Sequence, residues 1–338
     1  MKRKNLSIVT TSLIKTSFVL LLVLFFVLCI GVSLINKTNI PATYTVYAND
    51  GYYSETTYYF QESDYKILQE ERGKDVEKQS LYTTKNISDK INNAEKNQFM
   101  FAASKRVWVS EMINEDGLIA NSRLMTQMEV DKIKNEEQTI SVDRYTKAMV
   151  ATQQRVGADS ESRYHLDIDV TVYYNGDDDQ YLVECNAYWD AILVFPWECE
   201  IAAEETYDDY LGVTWGGAGT LCVKHQTMSG TYHNGESLKG LSRAASNSYA
   251  GYVWQFREKS GLFGKELKRA KAEVTIEKEG VLQGKNTAVR MTYIHTYGAI
   301  NGSISITANT NGAMAAGVSL SSTPKQWQIE IDVPGIGY

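Results

Sequence analysis

Side chains alternate between apolar and polar types from Tyr164 to Trp189, and this period constrains the fold more than any other feature of the chain. Successive side chains of a strand point to opposite faces of a sheet, so the alternation predicts strands with one apolar face. The apolar positions before the turn are Leu166, Ile168, Val170 and Val172, and the polar ones are His165, Asp167, Asp169 and Thr171. Asn175-Gly176 supplies the turn, because both residues tolerate positive φ. The segment is predicted to be an antiparallel hairpin.

Eight further strand patterns follow this hairpin, and short turns of Gly, Asn and Ser separate the last four. They are YLGVTW, TLCVKH, YAGYVWQF, AEVTIEK, AVRMTYIHTYG, SISITAN, AGVSLSS and WQIEIDV. In WQIEIDV, apolar residues at odd positions from Trp327 to Val333 predict one buried and one hydrated face. No pattern is followed by a convincing crossover helix. The fold class is therefore mainly β, an antiparallel β-sandwich of immunoglobulin-like or Greek-key type, with a closed up-and-down sheet as the alternative.

The chain before residue 159 is more polar and less regular. Residues 49–158 are predicted to be a mixed helical and extended region, and residues 159–338 the antiparallel β-rich domain. GYYSETTYYFQESDY reads as a loosely held leader and NISDKINNAEKN as a short helix. The clearest helix is TQMEVDKIKNEE, where Thr126 and Glu129 have the spacing of a capping box.

Residues 1–48 are predicted to be a signal peptide or an uncleaved single-pass membrane anchor, with an apolar span over 16–36. About twenty apolar residues suffice for a helix that crosses a bilayer. Positive charge precedes the span, which places the N-terminus in the cytoplasm and exports the rest. The span is longer than a usual signal core, which favours an anchor, whereas Val46 and Ala48 suit a cleavage site between Ala48 and Asn49. This arrangement resembles the long signal peptides of Gram-positive bacteria.

The composition of the chain limits the classes of partner that it is expected to bind. The net charge is −7, and no block rich in Lys or Arg occurs outside the N-terminus, so nothing attracts a nucleic-acid backbone. The 22 Tyr and 24 Gly residues suit strands and turns. They also suit surfaces that bind sugars or proteins, so the predicted partners are the membrane, through the N-terminal helix, and a glycan or surface protein.

Two clusters suggest binding chemistry. Asp177, Asp178 and Asp179 offer adjacent oxygen ligands in the hairpin turn, which makes Ca²⁺ the one cofactor suggested, with a solvated acidic turn as the alternative. Aromatic residues near one strand, if exposed, could form a surface on which sugar rings stack. These residues are Tyr207, Tyr210 and Trp215. Asp208 and Asp209 adjoin them, but neighbours on one strand point to opposite faces and cannot act as a catalytic pair.

Three cysteines follow the apolar span. A Cys185–Cys199 disulfide is one prediction, and separate buried thiols are the alternative. Cys222 lies three residues before His225, so in a strand the two would face opposite ways. His295 is the other candidate base, flanked by Tyr293 and Tyr297.

The sequence holds no phosphate loop, no G-x-S-x-G turn and no H-E-x-x-H helix. We therefore expect an exported, non-enzymatic module that binds glycan or protein. The alternative is a secreted hydrolase whose carboxylates or Cys and His residues converge only in three dimensions.

Overall fold

A computed structural model describes fourteen stretches of the chain. They are residues 43–47, 51–73, 97–113, 119–139, 160–176, 178–190, 208–217, 219–258, 267–279, 284–297, 303–308, 312, 314–321 and 325–338. Thr43–Tyr338 forms one compact unit. The predicted apolar span and the predicted helix in NISDKINNAEKN lie outside the described residues. Within the described part of the chain, no helix is both long enough and apolar enough to span a membrane.

The described elements are fifteen strands and two helices. The helices are α1 (Glu62–Gly73) and α2 (Gln127–Thr139). The strands are β1 (Thr43–Tyr47), β2 (Ser54–Tyr59), β3 (Asn97–Ile113), β4 (Ile119–Leu124), β5 (Ser160–Asn175), β6 (Gln180–Asp190), β7 (Asp208–Trp215), β8 (Leu221–Tyr232), β9 (Ser242–Asn247), β10 (Gly251–Arg257), β11 (Leu267–Lys278), β12 (Asn286–Thr296), β13 (Ile304–Thr307), β14 (Gly317–Leu320) and β15 (Gln326–Gly337). The prediction of a mainly antiparallel β chain is confirmed.

The first sheet has eight strands in the order β1-β2-β3-β5-β6-β11-β8, with β4 also paired to β3. The predicted hairpin is β5–β6, and it pairs antiparallel from His165 opposite Asp190 to Asn175 opposite Gln180. Among the described residues of this turn, Asp179 has a positive φ, at 52°, whereas the predicted turn residues Asn175 and Gly176 do not.

The second sheet has five strands in the order β15-β12-β7-β10-β9, and β13–β14 forms a separate two-stranded hairpin. The apolar faces of both sheets meet in one core. Members from the first sheet include Leu166, Val170 and Val183, and members from the second include Leu211 and Met291, all fully buried. Burying one such side chain contributes about 1.5–3 kcal/mol relative to leaving it in water. This shared core is therefore the main force that holds the two sheets together.

Strand pairing joins the N-terminal half to the rest of the chain. β3 pairs with β5 along its whole length, from Asn97 opposite Asn175 to Ile113 opposite Ser160, so the regions on either side of the predicted boundary at 158/159 contribute to one sheet. The supposed loose leader contains β2 and α1. Tyr65 of α1 is fully buried against β2 and β3. The sequence signal for this packing was weak because α1 has few apolar residues.

The two helices cover the outer face of the first sheet near β2 and β3. Val130 of α2 is buried against Trp108 and Met125. The predicted capping box is confirmed, because the Thr126 N–H donates to Glu129 Oε2 at 2.8 Å and the Glu129 N–H donates to Thr126 Oγ1 at 3.4 Å. The helices thus cover the outer face of β2. Its inner face is on the same side of the first sheet as the second sheet.

Candidate functional site

A groove runs beside β15, where the first sheet extends further than the second. β15 packs against β3, β4 and β5, whereas β2 and β1 continue the first sheet beyond β3. The second sheet ends at β15, so it does not cover the inner face of β2. The groove formed there has a volume of about 610 Å³.

The floor of the groove comes from two paired strands. Ser54, Thr56 and Tyr58 of β2 lie opposite Val107, Lys105 and Ala103 of β3, so these side chains share one face. Residues 328–332 of β15 form the wall.

Tyrosine rings give the groove its apolar surface. Tyr58 is half-buried and stacks on Phe101, with ring centroids 5.6 Å apart. Tyr52 also lines the groove and is 48% exposed. A tyrosine offers a flat apolar face together with a hydroxyl, which suits contact with sugars and with polypeptides.

The charges along the wall are held in place by ion pairs. Arg290 donates Nε to Asp332 Oδ1 at 2.7 Å and Nη2 to Asp332 Oδ2 at 2.8 Å. Its Nη1 lies 2.8 Å from Glu330 Oε2. The hydrogen bonds to Asp332 raise the pKa of Arg290. From the floor, Lys105 Nζ donates to the main-chain oxygen of Glu330 at 3.2 Å.

A second cluster of charged groups lies sealed between the sheets around His295. The imidazole is 0% exposed. Its Nε2 lies 2.9 Å from Glu111 Oε1, and its Nδ1 lies 3.1 Å from Asp209 Oδ1 and 4.0 Å from Glu258 Oε1. Glu111 belongs to β3 in the first sheet, whereas Asp209 and His295 belong to the second. The histidine therefore connects the two layers.

Hydrogen bonds fix Asp209 in this cluster. The Tyr293 hydroxyl donates to Asp209 Oδ2, and the Thr296 N–H donates to Asp209 Oδ1 at 3.2 Å. The Trp189 indole N–H donates in turn to the Tyr293 hydroxyl at 2.8 Å. These donors hold the Asp209 carboxylate in one orientation beside the imidazole.

Both ring nitrogens of His295 face carboxylate oxygens, which fits a doubly protonated imidazolium. Burial alone would lower the pKa of His295. The negative charges of Asp209 and Glu258, with hydrogen bonds to Asp209 and Glu111, outweigh burial and raise the pKa well above its ordinary value.

Part of this cluster has the residue types of a metal site. Ligand atoms of Glu111, Glu258 and His295 all lie within 4.8 Å of one another. A metal requires a lone pair on one ring nitrogen, which an imidazolium lacks. The hydrogen bonds to both nitrogens therefore fit charge pairing better than metal ligation. Catalysis requires access to substrate, and these groups, at most 8% exposed, are not among those that line the groove.

The sequence singled out His295 and its two flanking tyrosines, but not its partners. Tyr297 stacks on the imidazole, with ring centroids 6.2 Å apart, and Tyr293 binds Asp209. Glu111 lies 184 positions away from His295 in the chain. No local pattern marks such a partner, because strand pairing across the whole chain brings it there.

The predicted aromatic stacking surface is wrong for two of its three residues. Tyr210 is 5% exposed and Trp215 is 1% exposed. The β13–β14 hairpin covers Tyr210 through Val318, and Trp215 lies in the core between the sheets. β7 is thus covered on both faces, which alternation alone could not reveal. Tyr207 lies outside the described residues.

The acidic turn has partners within the protein. Asp179 accepts a hydrogen bond from the Tyr174 hydroxyl at 2.7 Å and pairs with Lys278 at 2.7 Å. Asp178 accepts from the Asn175 amide at 3.0 Å. Asp177 lies outside the described residues, so the calcium site stays a prediction.

The cysteines show no activated thiol among the residues described. Cys185 is a buried free thiol on β6, and its predicted partner Cys199 lies outside the described residues. Cys222 is a half-buried free thiol whose pKa is raised by burial and then by Glu279, whereas a nucleophilic cysteine needs a lowered pKa. His225 is exposed on the same strand.

No family model and no curated protein matches the chain. Among solved structures, the delta-toxin of Clostridium perfringens is 7% identical, with a TM-score of 0.24 over 51% of this chain and 84% of that one. The C-terminal domain of the Streptococcus pyogenes antigen I/II-family protein AspA is 9% identical, with a TM-score of 0.21 over 69% and 92%. The KRT10-binding region domain of the pneumococcal serine rich repeat protein PsrP is 14% identical, with a TM-score of 0.18 over 38% and 76%. All three scores are below 0.5, so these matches carry no argument about fold or function.

Proposed function

We propose that this chain is an exported, non-enzymatic binding module and that the groove beside β15 is its binding surface. The observation that carries the proposal is an open groove of about 610 Å³ that combines tyrosine rings, hydroxyls and fixed charges. Such a mixture of apolar surface and a few positioned polar groups is typical of ligand sites.

The location of the titratable groups supports binding over hydrolysis. The carboxylates that converge on His295 are buried between the sheets. In the groove, Glu330 and Asp332 are both paired with Arg290, so each carboxylate would have to give up that ion pair before it could exchange a proton with a substrate.

Export is proposed from the apolar span at 16–36 and the positive charges before it. An immunoglobulin-like or Greek-key sandwich is the proposed fold type, supported by two facing antiparallel sheets. The proposed ligand is a glycan or a surface polypeptide, with the membrane as a further partner if the N-terminal span is retained.

A groove-filling variant tests the proposal. Thr56→Trp places an indole on the floor of the groove, and Ser229→Trp adds the same group at an exposed position of β8, at the far edge of the first sheet. Both variants and the unaltered chain would be screened on glycan arrays and arrays of extracellular proteins. We expect a ligand that the unaltered chain and Ser229→Trp bind and that Thr56→Trp does not. Equal binding by all three proteins would remove the groove from the proposal, and turnover of an arrayed ligand would favour the hydrolase.

A further inference from the structure

The edge of β15 presents main-chain groups to the groove. In the described part of the chain, β15 pairs only with β12. The Tyr297 N–H donates to the Lys325 oxygen at 3.1 Å, and the register continues with His295 opposite Trp327 and Tyr293 opposite Ile329. In an antiparallel pair every second residue bonds to its partner strand. From Trp327 to Val333, the odd-numbered residues therefore direct their main-chain N–H and C=O groups at β12.

The main-chain N–H and C=O groups of the even-numbered residues in this stretch consequently point away from β12. The even-numbered residues that line the groove are Gln328, Glu330 and Asp332. The Lys105 ammonium, which donates to the Glu330 main-chain oxygen from the groove floor, is a second and independent observation of this direction. The second sheet thus ends in a row of N–H and C=O groups that line the groove.

The floor provides room for one more strand. Neighbouring strands lie about 4.8 Å apart within a sheet, and facing sheets stack about 10 Å apart. A strand added to β15 would therefore lie over β2. Its downward side chains would cover Thr56 and Tyr58, and its upward side chains would lie beside Glu330 and Asp332.

We propose that the ligand of the groove is an extended polypeptide segment that adds to β15 as the sixth strand of the second sheet. This inference rests on the groove being the binding surface. In strand addition, main-chain hydrogen bonds provide affinity and alternate side chains provide specificity. A glycan could stack on Tyr58, but it lacks amides spaced to match residues 328, 330 and 332.

Lys105 controls access to this edge. Lysine side chains commonly protect strand edges from unwanted pairing. Here the Lys105 ammonium donates a hydrogen bond to the Glu330 main-chain oxygen, and a peptide N–H must displace it to bind there. Lys105→Met removes that competitor and tightens peptide binding by about tenfold, which corresponds to about 1.4 kcal/mol.

The test uses random peptides as long as β15, 12 residues, selected against the full chain. Each selected peptide is then resynthesised with one N-methyl group at each position in turn. N-methylation at alternate positions weakens binding by about tenfold or more, because it removes every second main-chain donor. Hydrogen exchange provides the matching readout on the protein. On binding, the amides of Gln328, Glu330 and Asp332 slow by about tenfold, and those of Trp327 and Ile329 do not change.

A pair of variants at Glu330 separates the main chain from the side chain. Glu330→Pro removes the outward N–H, and a proline is tolerated at a strand edge. Glu330→Gln keeps the N–H and removes the charge. We expect loss of peptide binding with proline and retention with glutamine.

Four results would overturn the inference, and they have different meanings. If N-methylation has no effect but Thr56→Trp abolishes peptide binding, the groove binds ligand without strand addition. If only glycans bind and Thr56→Trp prevents it, the ligand class is wrong. If the amides of 328, 330 and 332 are already protected in the free chain, another segment of the chain occupies the edge. If no ligand depends on Thr56, the proposed function itself fails.

Discussion

Two charged residues on the inner face of β3 have opposite surroundings. Glu111 is 5% exposed and touches His295 between the sheets, whereas Lys105, six positions earlier, lines the open groove. The difference comes from the width of the second sheet, since His295 on β12 lies opposite Glu111 and Lys105 lies past the edge of β15. One strand thus supplies a sealed charge and an accessible one.

The two environments impose different energetic requirements. A sealed charge must be paired, because removal of one partner leaves the other desolvated without compensation. A charge at an open groove is hydrated and can exchange its protein partner for a ligand. The His295 cluster should therefore control stability, and the groove should control binding.

The largest expected effect follows from removing the charge of the sealed histidine. His295→Gln leaves Glu111 and Asp209 facing a neutral amide, and we expect the free energy of unfolding to fall by about 3–5 kcal/mol. Urea denaturation measures it. His225→Gln, at an exposed position on β8, is the matched control and should change stability by less than about 0.5 kcal/mol. Equal effects of the two substitutions would contradict the distinction between sealed and open sites.

The pH dependence of the same cluster sharpens the comparison. The pKa of His295 is raised in the folded state, so its stabilising contribution is complete below the unfolded value of about 6.5 and is lost as pH rises through the folded value. The advantage of the unaltered chain over His295→Gln should shrink as pH rises from about 6.5 into the alkaline range. Denaturation midpoints of both proteins across that range would show it. A difference that stays constant would mean that His295 is neutral in the folded chain.

The third prediction compares the two positions on β3 directly. Glu111→Gln weakens a charge-assisted hydrogen bond, and we expect a loss of about 1.5–3 kcal/mol. Lys105→Gln alters a half-buried residue beside water and should cost less than about 1 kcal/mol. Denaturation of both variants at one pH gives the comparison. Similar losses would show that the groove is as closed as the interior.

The smallest effect is expected on α2, which packs on the outer face of the first sheet. Glu129→Gln weakens the capping box and the contact with Arg123, and we expect a loss of about 0.5–1 kcal/mol. Hydrogen bonds from Arg123 and then from Thr126 lower the pKa of Glu129 to about 2. This contribution is present above the unfolded value of about 4.3 and is lost as pH falls through about 2. Thermal unfolding at neutral and acidic pH measures it, and an undiminished difference at acidic pH would contradict the assignment.

Local patterns allowed the strands to be predicted, but not the site. The alternation from Leu166 to Val172 predicts a strand with one apolar face, and Thr126 with Glu129 predicts the start of a helix. Both predictions depend only on residues close together in the sequence. The burial of Tyr210 depends on the β13–β14 hairpin, about a hundred residues later in the chain. The groove depends on the difference in width between two sheets. Neither leaves a periodic signal in the sequence.

β1 ends at Tyr47, one residue before the predicted cleavage site, and it pairs with β2 from Thr43 opposite Tyr59 to Tyr47 opposite Glu55. A peptidase that cuts after Ala48 would therefore take the outermost strand away together with the leader. After such a cut, β2 would be the edge strand of the first sheet on this side, and β15 would remain the edge strand of the second sheet. Maturation would thus move the open edge of the first sheet from β1 to β2, so that the open edges of both sheets would border the groove.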